Sequence, residues 1–174
     1  PTHQIPFFRL RRIYTMICTI PKNKHECFGF SLGGPHFGTT SQKFRVMFDS
    51  NCSIRPDAVD CMNDWNKLFG FSYGMHHSNS LRLAWRALPT GMVKIASYIY
   101  ENGRSKYNAF ATVPVNTFFD MGITYDPDNR KVYSFVNELQ IEDSFSKSVS
   151  WGYYLKPYHG GNCPAKETIK ITLL

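Results

Sequence analysis

The chain has 174 residues, 43% of them hydrophobic and 16% aromatic, which is enough for one domain with a sizeable core. Its 20 Lys and Arg outnumber 13 Asp and Glu for a formal charge of +7, favouring acidic partners: anionic polysaccharide, nucleic acid or an acidic neighbouring subunit. The basic residues are scattered except around Arg9, Arg11 and Arg12, and no nucleic-acid-binding motif is present, which argues against nucleic acid; no apolar run is long enough for a membrane-spanning helix.

Residues 1–20 read as a basic N-terminal arm leading into an edge or exchanged strand over the β-branched run Ile13 to Ile20. Residues 21–174 read as one β-rich domain. The Gly-, Pro- and Ser-rich stretch 21–42 is expected to be a long loop, and Lys43 to Asp49 a strand. After a second loop at 50–63, Val59 to Leu68 is expected to form a short helix with Asp60 and Asp64 as candidate caps. Leu81, Leu83 and Trp85 then share one face of a strand and Arg82, Ala84 and Arg86 the other. Met92 to Tyr100 repeats the pattern, with Val93, Ile95, Ser97 and Ile99 on one face and Lys94, Ala96, Tyr98 and Tyr100 on the other. Asn102-Gly103 is a strong hairpin turn, and Tyr107 to Val113 pairs back.

The most informative stretch runs from Phe119 to Glu142. Phe119, Met121, Ile123 and Tyr125 alternate with smaller or polar residues, Asp126-Pro127-Asp128-Asn129 is a turn, and Arg130 to Val136 resumes as a strand. Residues 142–150 read as loop, Trp151 to Asn162 as a strand running into a tight turn, and Thr168 to Leu174 as a closing strand. The sum is roughly eight to eleven strands without a long helix, the pattern of an antiparallel β-sandwich.

The run ITYD, turn, KVYSFVNE resembles the central hairpin of laminin-G-like domains, members of the concanavalin A-like lectin/glucanase group, although Glu138 stands where that group has Gly. The resemblance implies an all-β, antiparallel β-sandwich of jelly-roll type. It implies no single function, because the fold carries lectins, glycosidases, lyases and adhesion modules.

Within such a sandwich, Arg82, Arg86, Tyr98 and Tyr100 are candidates for a carbohydrate-binding face: aromatic rings stack on sugars and Arg holds carboxylates. The same residues also suit an ordinary polar outer face. Tyr153-Tyr154-Leu155-Lys156-Pro157-Tyr158 is faintly similar to a catalytic strand of jelly-roll alginate lyases. That resemblance implies Tyr158 as acid/base, Arg82 or Arg86 holding a uronate, and His77 assisting. No pair of carboxylates in a glycosidase pattern and no Ser-His-Asp signature appears. His76 and His77 are adjacent, so they share a metal only if they sit in a turn. Asp126 and Asp128 are a weak calcium candidate, already explained as turn formers.

Five cysteines occur without a C-x-x-C spacing. They are expected as free thiols, with Cys52–Cys61 the candidate disulfide should the compartment be oxidising. No charged and apolar segment of a secretion signal opens the sequence. These features lead to the expectation of a non-enzymatic, lectin-like or surface-decorating jelly-roll module, part of a homo-oligomer or larger particle such as a virion, or at a cell surface. The alternative is a polysaccharide lyase acting on acidic glycans.

Overall fold

The computed structural model describes residues 15–29, 34–38, 40–56, 58–146 and 149–174. Among them are twelve strands and two short 3-10 turns, Ser50–Ser53 and Val59–Cys61. The strands are β1 (Met16–Ile20), β2 (Pro35–Phe37), β3 (Ser41–Phe48), β4 (Asn66–Ser72), β5 (Ser80–Leu88) and β6 (Met92–Glu101). They continue with β7 (Arg104–Pro114), β8 (Phe118–Asp126), β9 (Lys131–Val136), β10 (Leu139–Ser144), β11 (Trp151–Leu155) and β12 (Ile169–Leu173). One six-stranded sheet has the order β1-β12-β3-β8-β9-β10 and the other β2-β11-β4-β5-β6-β7. Every pairing is antiparallel.

The core lies between the sheets. Val46, Phe48, Met121, Ile123, Val132 and Ile171 of the first sheet share one cluster with Leu81, Leu83, Trp85, Val93, Ile95 and Ile99 of the second. Each such side chain contributes about 1.5–3 kcal/mol by leaving water. The two-residue alternation read from β5 and β6 is therefore the packing of those strands. Of the other residues of the pattern, Ala84, Ala96 and Tyr98 form a small second cluster with Trp65 on the outer face, with Tyr100 packed against it.

Several expectations are corrected. Val59 to Leu68 is not a helix: after the 3-10 turn the chain enters β4, because Leu68, Phe69 and Phe71 are needed in the sandwich core. Asp64 caps nothing there and instead accepts the N–H groups of Gly161 and Asn162. The expected loop at 21–42 contains β2 and the start of β3, and the loop at 142–150 begins with the end of β10. Four cysteines are bonded, Cys18 to Cys27 and Cys61 to Cys163, while Cys52 is the free and buried one. The first bridge closes an antiparallel return in which Thr19 pairs with Phe28; the second joins two loops distant in sequence, which spacing alone does not reveal. The edge strand at the N-terminal side is β1, and Arg9, Arg11 and Arg12 lie outside the described residues. No helix among the described residues is long and apolar enough to cross a membrane.

Candidate functional site

A cleft of about 580 Å³ opens on the outer face of the second sheet. Its floor comes from β4, β5 and β6 through Lys67, Arg82, Tyr98 and Tyr100; one end is the turn carrying His76 and His77, and one wall is Tyr153 to Gly161.

Arg82 is the centre of this floor. It is paired with Gly70 on one side and Tyr98 on the other. A Cβ at position 70 would lie 2.1 Å from the Leu81 carbonyl oxygen and 2.9 Å from Cγ of Arg82. Glycine is thus what allows the Arg82 stem to lie down across β4. A bulge between Lys67 and Gly70 accompanies the close approach. Arg82 as a whole is 8% exposed. One terminal nitrogen donates to the carbonyls of Lys156 at 2.7 Å and Leu68 at 3.3 Å, and Nε is buried without a hydrogen-bond partner. Burial lowers the Arg82 pKa to about 10, partly offset by Tyr98, Tyr153 and Tyr100. Among the described residues, no Asp or Glu lines the cleft. Arg82 is therefore a fixed, cationic group held by neutral carbonyls, and a buried charge without an opposite charge is costly.

Two further features surround it. Lys67 places its ammonium 4.3 Å from the centre of the Tyr98 ring and donates to the Trp65 carbonyl at 2.6 Å. Burial first, then repulsion from Arg82, lowers its pKa to about 8. At the other end, the Tyr153 hydroxyl lies 2.5 Å from Nδ1 of His76 and accepts the His76 main-chain N–H at 3.3 Å. Burial, then His77 and Arg82, lower the His76 pKa, so its ring is neutral near pH 7. The direction of the Tyr153–Nδ1 bond follows the imidazole tautomer: with the ring proton on Nε2, the Tyr153 hydroxyl donates to Nδ1. The turn that holds both histidines is closed by Gly74 at φ +75° and by Ser80, whose hydroxyl bonds the His76 carbonyl. His77 stands edge-on to Tyr100.

The structure brings Arg82, Tyr98, Tyr100, His77 and Tyr158 into the same cleft. Arg86 does not line it: its guanidinium lies over the Trp65 ring at 4.8 Å, beside a much smaller cavity. Tyr158 sits on the wall, stacked on His25, with its backbone bridged to Lys67. Lys67, Tyr153 and Lys156 were not singled out in the sequence. The signal for Lys67 was hidden by the expected helix; for Tyr153, by a tyrosine-rich run in which spacing does not choose among rings. Asp126 accepts main-chain N–H groups of Asp128 and Asn129 and the Asn129 side-chain amide, which is the work of a turn. Among the described residues no group of three or more His, Cys, Asp or Glu is placed to hold a metal ion.

No family model and no curated protein matches the chain. Among solved structures, it is similar to LamAcat from Zobellia galactanivorans, with a TM-score of 0.53 and 10% identity over 91% of this chain and 74% of that one. It is also similar to an alginate lyase from Alteromonas sp. 272, with a TM-score of 0.47 and 7% identity over 76% of this chain and 66% of that one. A third is the carbohydrate-binding module CBM66 from Bacillus subtilis, at 0.37 and 13% identity over 82% and 74%. The two antiparallel sheets, their order and the likeness to the first of these agree: the chain is a jelly-roll β-sandwich of the concanavalin A-like fold.

Proposed function

We propose that the outer-face cleft binds an acidic carbohydrate. The observation that carries this reading is Arg82, a buried guanidinium with an unpartnered Nε in a cleft that no described Asp or Glu lines. A sugar carboxylate supplies the missing charge through charge-assisted hydrogen bonds, and the half-buried Tyr100 supplies ring surface beside it. Lys67 and Lys156 keep the surroundings cationic. The described lining offers no pair of carboxylates of the kind two-carboxylate glycosidase chemistry needs.

The test is calorimetric titration with uronate oligosaccharides and neutral oligosaccharides of the same length. Uronates should bind and neutral sugars should bind at least tenfold more weakly; Arg82→Ala should lose tenfold or more for uronates only. Equal affinity for both classes would sink the reading. In the same setting, solution mass reports whether the domain acts alone or within the oligomer or particle that the sequence suggested.

A lyase is the second reading, favoured by one observation: the Tyr153 hydroxyl bonded to neutral His76 beside Arg82. Elimination from a uronate needs its carboxylate neutralised, a base for the adjacent C–H proton and an acid for the leaving oxygen. Arg82 suits the first role, and the His76–Tyr153 pair the proton transfers, rather than Tyr158 or His77. Ultraviolet absorbance from unsaturated ends should then rise with wild type and not with Tyr153→Phe. No rise on any uronate polymer leaves binding alone.

A further inference from the structure

Tyr107 lies outside the cleft lining but continues its floor. Arg82, Tyr98 and Tyr107 are successive cross-strand partners on β5, β6 and β7. Adjacent strands are about 4.8 Å apart, so the row from Arg82 to Tyr107 spans about 10 Å, more than one sugar ring with its carboxylate covers. Tyr107 is 61% exposed, yet its ring is held on two sides. It stacks nearly parallel to Tyr98, 6.5 Å between centres and 10° between planes, and leans on Trp65 at 5.4 Å. Trp65 itself is buried against Ala84 and Ala96, small residues that give it room on the outer face. A large aromatic that is exposed and immobilised by buried neighbours presents a flat apolar surface at low entropic cost.

We infer that Tyr107 is the platform of a second sugar subsite, so that the site takes an internal stretch of an acidic polysaccharide lying across β5, β6 and β7 instead of a single uronate. This rests on the carbohydrate reading of the cleft. The first sugar places its carboxylate on Arg82 and its ring by Tyr100; a later sugar in the chain lies on Tyr107. The row crosses the strands and ends at β7, the edge of the sheet among the described residues, so none of the described strands obstructs a longer polymer there.

The test is the length dependence of uronate oligosaccharide affinity, from the monosaccharide to the hexasaccharide, for wild type, Tyr107→Ala, Tyr107→Phe and Arg82→Ala. Circular dichroism confirms that each variant is folded. In wild type the affinity should climb with length beyond the first sugar. Tyr107→Ala should weaken the hexasaccharide by about tenfold and leave the monosaccharide unchanged, and Tyr107→Phe should restore most of the loss. A loss in Tyr107→Ala that is equal at all lengths marks a merely structural residue and overturns the inference. So does an affinity that stops rising at the monosaccharide. Wild type that binds no uronate at any length overturns the carbohydrate reading itself, and the platform with it.

Discussion

Lys67 and Arg82 face the same cleft. Burial has already moved Lys67 to about 8, with the Arg82 charge as a further cause. The ammonium therefore loses its proton as pH rises through about 8, well before a solvent-exposed lysine does. An anionic ligand that uses this charge should bind more weakly as the pH goes from about 7 to about 9.5, while Arg82, at about 10, is still mostly charged. Titration calorimetry with a uronate oligosaccharide at several pH values measures this, and Lys67→Met should flatten the profile. A wild-type affinity constant across that range would remove Lys67 from the binding surface. At this scale the sequence was partly legible. Arg82, Tyr98 and Tyr100 follow from strand alternation, since outward residues on β5 and β6 have to meet. What alternation does not carry is depth: Arg82 and Arg86 occupy equivalent outward positions, and only Gly70, across from Arg82, decides which of them sinks.

Elements are set by turns as much as by strands. Val136 pairs with Leu139, leaving Asn137 and Glu138 as a two-residue turn between β9 and β10. Asn137 has φ +49°, the left-handed conformation that Asn tolerates and β-branched residues do not. Its Oδ1 also accepts the Asp120 main-chain N–H, and its own N–H donates to the Asp120 carbonyl. Glycine is dispensable here because Asn occupies the position that needs the positive φ. Asn137→Val should destabilise the fold by about 1–2 kcal/mol, read as a lower urea midpoint with an unchanged slope. The Phe119 to Glu142 hairpin was legible because local chemistry alone specifies it. The helix expected at 59–68 failed for the opposite reason. Its polar and apolar residues fit a helical spacing over a short window, but the core needs Leu68, Phe69 and Phe71 in an extended strand beside β5 and β11.

At the scale of the molecule, two bridges tie sequence-distant parts together. Cys61–Cys163 encloses 102 residues of separation, and a loop of that size corresponds to about 4.7 kcal/mol in the chain-entropy account. Cys18–Cys27 encloses only 9 and constrains the unfolded chain less. Cys61→Ser with Cys163→Ser should therefore lower the thermal midpoint more than Cys18→Ser with Cys27→Ser. Calorimetry of the two double variants checks the order, and the reverse order would count against it. The bridge also anchors the wall of the cleft, together with Asn66, which accepts the Gly160 N–H at 2.5 Å, and Asp64, which accepts from Gly161 and Asn162. These long-range ties are the part of the site that spacing along the chain does not encode. Five cysteines in loops and strands have many pairings, and the sandwich selects two.

The strand nearest the C-terminus, β12, is not at a border of its sheet; it lies between β1 and β3. Likewise β11 lies between β2 and β4, and the cleft takes Tyr153 to Gly161 from the segment that begins with it. During synthesis the ribosome therefore releases the floor of the cleft, with Arg82, long before the wall that supplies the Lys156 carbonyl. Until that wall arrives, the guanidinium has one of its two carbonyl partners and stands open to water. The nascent chain has β3 waiting for an inner neighbour and β4 lacking one side, two exposed strand borders that are closed by the last quarter of the sequence. The wall of the cleft and the inner neighbours of β3 and β4 thus both come from segments that follow the floor in the chain, so the floor takes its final surroundings only after they have been made.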